Sequence, residues 1–298
     1  MTATPASCHQ PNQYRQHSQL GAVRRAVHNG VPALQLTITV PLDDEALLSA
    51  LASSPSSPSE LLRMLGSNLQ NITVTTKTRL ARNETCPPAA LRRLAQDPAY
   101  RVVAAVTQNP SCSASLLRSI YQRDENHDSE IAVHPNCPPQ ILKQLAERTD
   151  VGVRYGVAGN PSCPIATLAT LARDQTVNYQ PVPGDSLTGP RSVYAAALGN
   201  PSCPPGLLQK HSAKLDYETR QAIGANISCP PAVLSDLAGD PHWEVRHAVA
   251  GNPGCLPSAL ERLIRDPDRG VAQTAANNPS LPRSVLAMWQ LSSADNTQ

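Results

Sequence analysis

Apolar positions along the chain come in pairs of short clusters. From Asn226, the residues Leu234, Leu237 and Ala238 fall at helical spacing and predict one buried helix face. After Asp240-Pro241, the residues Val245, Ala248 and Val249 predict a second face, and Gly251 can end that helix in a left-handed conformation. The polar positions between them read as stops and starts. Asn226 and Ser228 are placed to satisfy free amides near a helix start. Pro230 and Pro231 fall in a first turn, where a missing N–H costs nothing. Asp240 reads as the N-cap of the second helix, with Pro241 at its first position. A unit of two short helices cannot bury its apolar faces alone, and stacking of neighbours solves the problem.

The phrase restarts along the chain. Regular units begin at Asn83, Asn109, His134, Asn160, Asn200, Asn226 and Asn252, and a half-unit begins at Asn278, where Leu281 stands in the cysteine's place. Cys86, Cys112, Cys137, Cys163, Cys203, Cys229 and Cys255 occupy one position, at spacings of 26, 25, 26, 40, 26 and 26 residues. Such a period marks a repeat architecture. The fold class expected is all-α: a solenoid of about eight two-helix repeats sharing one core.

Around the regular region, 83–291, the pattern weakens. Residues 1–20 are rich in Pro, Gln, Ser and His and read as a flexible segment. Residues 21–82 read as a degenerate capping region and first repeat. There, Gly21–Asn29 looks like the end of a repeat, Leu34–Val40 alternates like a strand, a linker or a cap, Ser57 replaces the cysteine, and the threonine-rich stretch from Asn68 to Arg82 reads as irregular. The 40-residue spacing places an inserted loop at 175–190, and 292–298 is a polar tail.

Composition narrows the function classes. Apolar residues make up 40% and charged residues 16%, phenylalanine is absent, and the formal charge is +2. That balance lacks the basic surplus of a dedicated nucleic-acid binder. No apolar run reaches the length of a membrane span and no signal segment follows the start, so the expected location is cytoplasmic, away from membranes. One cysteine per repeat spaces the thiols about 8–10 Å apart, beyond the ~7 Å that a disulfide tolerates. A ladder of reduced, buried cysteines is the expectation, with disulfides or a metal site as alternatives.

The phrase Asn-Pro-Ser-Cys-Pro, then Leu-x-x-Leu-Ala, Asp-Pro and Val-Arg-x-Ala-Val-Ala resembles the leucine-rich repeat variant family, and more loosely the HEAT-type helical repeats. It is best carried by 226–251 and 252–277 and covers roughly 57–288. The resemblance implies a bacterial source and a right-handed superhelix in which α and 3₁₀ helices can alternate. It also implies an N-terminal cysteine cluster able to hold an iron–sulfur centre. Here only Cys8, beside His9, precedes the repeats, so the chain departs from that pattern, no cofactor is expected, and a redox role for Cys8 stays open.

Candidate chemistry lies in departures from the period. The inserted loop offers Tyr179 and Leu187 as partner anchors or is a tolerated surface loop. Asp124–Glu130 replaces an apolar helix with polar residues, giving a solvent-facing bend or, less in keeping with its spacing, a divalent-metal site. Arg154, Arg220 and Arg246 fill one position, taken elsewhere by Val103, Tyr194 and Ala272, and are either locally paired or a row for a partner's carboxylates or phosphates. Asp97, Asp174, Asp240 and Asp266 read as caps rather than catalysts. Trp243 is a contact candidate or, equally, packs across a repeat junction, while His211, His242 and His247 show no partners at fixed spacing. No nucleotide loop, serine elbow or zinc motif is present. The expectation is a non-enzymatic scaffold for a protein or peptide, of open oligomeric state. Nucleic-acid binding through arginines and a helical-repeat enzyme of the DNA glycosylase type are the alternatives.

Overall fold

The computed structural model describes residues 19–25, 35–41, 43–178, 191–213 and 216–295. The first 18 residues with Cys8, most of the inserted loop with Tyr179 and Leu187, and the last three residues lie outside them. The described chain is almost entirely helical and falls into two compact units, Met1–Cys112 and Ser113–Gln298.

The first unit opens on a hairpin. Strand Gln19–Arg25 pairs antiparallel with Gln35–Pro41, with Gln19 opposite Pro41 and Arg25 opposite Gln35. Residues 21–25, expected to end a repeat, are therefore the partner that the alternating stretch at 35–41 needs. Helices Glu45–Ser53, Ser59–Ser67, Val74–Arg82, Pro88–Leu94 and Tyr100–Thr107 follow. The threonine-rich stretch expected to be irregular holds a regular helix, because Thr73 caps it by accepting from the Thr76 amide. Gly66 marks a close approach: a Cβ there would sit 2.4 Å from the Ala90 methyl, so any side chain would force the two helices apart.

The second unit repeats one pattern. A seven-residue first helix starts with proline at or next to its first position, as in Pro139–Leu145, Pro205–His211, Pro231–Leu237 and Pro257–Leu263. A second helix then follows, as in Val151–Gly159, Val193–Gly199, Tyr217–Ala225, Trp243–Gly251 and Arg269–Ala276. Both members of these pairs are α-helices. The described 3₁₀ turns, Leu69–Asn71 and Glu125–His127, lie elsewhere. Neighbouring second helices pack directly on one another, while neighbouring first helices stand further apart. Small residues permit this: a Cβ on Gly224 would meet Val249 Cγ2 at 3.0 Å. The core is aliphatic, with Leu234, Val245, Val249 and Leu260 fully buried, each worth roughly 1.5–3 kcal/mol. Around the insertion, Val177–Asn178 pairs with Arg191–Ser192 and closes its base.

The seven repeat cysteines are buried and free. In each full turn the cysteine amide donates to the carbonyl three residues back, as from Cys229 to Asn226 at 2.9 Å, which fixes the thiol against the core. Burial pushes Cys86, Cys112, Cys137 and Cys163 up to about 12, and Cys203, Cys229 and Cys255 up to about 11. Thiols so protonated are poor nucleophiles and metal ligands.

Candidate functional site

Three sets of polar contacts join successive repeats and decide which residues are left for recognition. The first is a buried asparagine ladder. The side-chain amides of Asn83, Asn109, Asn160, Asn200, Asn226, Asn252 and Asn278 each donate to two main-chain carbonyls of the preceding repeat, at 2.6–2.9 Å. Asn226, for example, reaches the carbonyls of Leu198 and Asn200. Its oxygen accepts from the Ser228 amide at 2.8 Å, so all the capacity facing inward is used. Serines two residues on add a rung, as from Ser228 Oγ to the Pro201 carbonyl at 2.7 Å. Sequence reasoning saw these asparagines only as local caps. The signal for their larger role is their recurrence, with His134 the one replacement among the regular units, at a turn that any polar residue could cap.

The second set pairs charges between repeats. Arg154, Arg220 and Arg246 direct Nε to Asp174, Asp240 and Asp266 at 2.6–2.7 Å, twenty residues on. Lys77 reaches Asp97 at 2.8 Å over the same interval. Arg246 Nη1 also donates to the carbonyls of Asp240 and Pro241 in its own repeat. Each aspartate accepts in addition from an amide two residues ahead: Asp97 from Ala99, Asp174 from Thr176, Asp240 from His242 and Asp266 from Asp268. These aspartates, expected as helix caps, therefore hold the turn before the cap. The caps themselves are residues such as Asp150, Asp216 and Asp268. Burial works against ionisation of Asp174, Asp240 and Asp266, but their hydrogen bonds outweigh it and hold these carboxyls below the ordinary value. The arginine side chains are only 14–19% exposed. At the same position Tyr194 donates its hydroxyl to Asp216.

The third set is a departure. At 124–130 the expected solvent-facing bend is instead a partly buried polar cluster. His127 is 1% exposed and Asp128 opens a short helix, Asp128–Val133. Asp128 takes the position that arginine fills elsewhere, and Arg148 Nε lies 2.8 Å from its carboxylate. The sign of the pair is inverted. Burial pushes the Asp128 carboxyl above its usual value, against the pull of Arg148. Among the described residues no group of three or more His, Cys, Asp or Glu could hold a metal ion.

With these contacts assigned, two ring pairs stand at the starts of neighbouring second helices. Tyr217 and His242 stack with ring centroids 4.7 Å apart and planes 13° apart. Trp243, 49% exposed, meets His247 edge-on at 6.2 Å. His247 Nε2 lies 2.9 Å from Thr274 Oγ1 in the next repeat. Sequence reasoning named Trp243 but found no partners for the two histidines. Tyr217, the neighbour of His242, stands one repeat away, whereas Trp243 lies four residues before His247 on the same helix, a local spacing the sequence did offer. A recess at the last helix, Arg283–Asp295, is lined by Ile264, Arg265, Val285, Met288 and Trp289. Among the described residues no helix is long and apolar enough to cross a membrane.

A family model for the leucine rich repeat variant matches residues 243–268. Among solved structures, the chain is similar to a leucine-rich repeat variant with a novel repetitive protein structural motif. The identity is 21%, the match covers 75% of this chain and 86% of that one, and the TM-score is 0.44. It is also similar to a designed armadillo repeat protein at 12% identity, over 82% of this chain and 92% of that one, with a TM-score of 0.22. No curated protein matches the chain.

Proposed function

We propose that the chain, whose residues 243–268 match the leucine rich repeat variant, is a non-enzymatic scaffold that binds a protein or peptide through the second-helix face of residues 217–274. The observation that carries this reading is Trp243, half exposed and held edge-on against His247. Aromatic side chains held this way supply large contact area at low entropic cost, which is why they dominate binding hot spots. The arginine row is a weaker candidate. Arg154, Arg220 and Arg246 already spend their charge on aspartates of the following repeat. The nucleic-acid reading, which needs those guanidiniums free, loses its main support.

The test is selection of binders from a random peptide display library on the intact chain, repeated with Trp243→Ala. The reading expects a selected peptide class whose binding falls at least about tenfold in the variant. Peptides bound equally by both proteins, or no selection at all, would refute it.

A further inference from the structure

The hairpin that opens the first unit lies outside the binding face proposed above. We propose that the outer edge of its second strand, Gln35–Pro41, pairs antiparallel with the same edge of a second copy, about a two-fold axis at Ile38.

A strand turns its N–H and C=O groups to alternate sides, so a two-stranded sheet leaves a row of them open on each outer edge. The two edges differ. Helix Ser59–Ser67 packs against the first strand, Gln19–Arg25, which ends in Arg24 and Arg25. The second strand reads Gln-Leu-Thr-Ile-Thr-Val-Pro, with no charge in seven residues, and its one proline comes last. Among the described residues no further strand lies beside it. Edge strands that stay single are blunted by charge, by proline or by a bulge. Gln35–Pro41 instead has β-branched residues at four consecutive positions, 37 to 40, and pairs with the first strand residue for residue without a bulge.

The sequence of this edge fits its own copy. Leu36, Ile38 and Val40 share one face of the hairpin, and Thr37 and Thr39 share the other. Val40 is 2% exposed, which places the core of the first unit on the aliphatic face. A two-fold axis perpendicular to the sheet reverses the strand direction and keeps both aliphatic faces on one side. An axis along the strands would make them parallel and turn one aliphatic face over. Centred on Ile38, the perpendicular axis sets Ile38 against itself, Leu36 against Val40 and Thr37 against Thr39, and all seven residues take part. A slip of one residue would set aliphatic positions against threonines. A slip of two would leave two residues of each strand unpaired. The register that uses the whole edge is thus also the one that matches like with like, and no like charges meet in it. Two hairpins so joined form one continuous sheet with an isologous, closed interface.

The test is sedimentation velocity of the full chain over about a hundredfold range of concentration. The unaltered chain should pass from monomer to dimer as concentration rises, since an edge of this length makes a small interface. Thr37→Lys with Thr39→Lys sets lysine against lysine at both threonine pairs and should weaken the dimer at least about tenfold. Thr37→Glu with Thr39→Glu should do the same. An equimolar mixture of these two variants should dimerise again, which also shows that both still fold. Within the hairpin Thr37 stands opposite Val23 and Thr39 opposite Gly21, so neither variant sets charge directly against charge in its own chain. Thr37→Lys with Thr39→Glu should dimerise alone, because each lysine then faces a glutamate of the copy. A monomer at every concentration, a dimer indifferent to the double lysine change, a mixture that stays monomeric, or failure of the lysine–glutamate variant to pair would overturn the inference.

Discussion

The pairs Arg220–Asp240 and Arg246–Asp266 can be set against the pair Asp128–Arg148. All three join a second helix to the turn of the next repeat, at 2.6–2.8 Å. Packing dictates that two side chains meet there, and the sign of each is open. The regular polarity has an advantage the inverted one lacks. An aspartate in the turn accepts both the guanidinium and an amide of the turn itself, as Asp240 does from His242. Arginine in the turn has no acceptor to offer. Both carboxylates are buried, yet Asp128 stands above its ordinary pKa where Asp240 stands below. The second helix of the inverted repeat is correspondingly shortened to Asp128–Val133, six residues against nine in Trp243–Gly251. A shared geometry thus tolerates either sign, but one sign fulfils two duties.

The strongest way to break this comparison is to remove what both versions depend on, the asparagine ladder. Asn226→Ala leaves the buried carbonyls of Leu198 and Asn200 without their donors and should cost about 3 kcal/mol, read as a lower urea midpoint. Next come the charges. Arg220→Ala should cost about 2 kcal/mol by leaving Asp240 without its partner. Exchanging the residues at 220 and 240 should recover only part of that loss, because the turn loses its acceptor. Exchanging 128 and 148 should raise the midpoint. Equal outcomes for the two exchanges would show that polarity does not matter.

Titration sharpens the same contrast. Asp174, Asp240 and Asp266 have folded values below the unfolded one, so their contribution is present above about 3.8 and is lost as pH falls through the folded values. Asp128 has the opposite sign, since the folded state favours its proton, and Asp128→Asn should therefore stabilise the protein at neutral pH. At the alkaline end the buried thiols favour the folded chain below about 9 and oppose it progressively as pH rises toward 11–12, so the midpoint should fall there. Replacing Cys203, Cys229 and Cys255 with alanine should flatten that fall. The smallest effect belongs to Trp243→Ala, which should change the midpoint by no more than about 0.5 kcal/mol, as expected of a surface position.

The repeat was legible in the sequence because its determinants are local. Leu234, Leu237 and Val245 sit at helical spacing, and Pro231 and Gly251 bound the elements. What escaped was whatever acts across one period. Asn226 was read as capping its own turn, yet its donors serve the preceding repeat. Asp240 was read as a helix cap, yet it answers an arginine twenty residues earlier. His242 looks isolated in the sequence because Tyr217 stands in another repeat, as Thr274 does for His247. The hairpin was missed for a related reason: residues 19–25 carry a repeat-like motif, and only pairing with 35–41 reveals the strand.

The asparagine ladder also measures something that the chain's contour length does not. From Asn226 the two acceptors lie 26 and 28 residues back, at 2.8 and 2.6 Å, but from Asn200 they lie 40 and 42 back, both at 2.7 Å. The ladder spans the inserted loop as though the extra residues were not there. The join between neighbours is keyed by the shape of the turn, and the interval between Asn178 and Arg191 is closed at its base by strand pairing. That interval is a natural docking port for grafted sequence: a peptide tag or small domain spliced there would ride on the stack without disturbing its pitch.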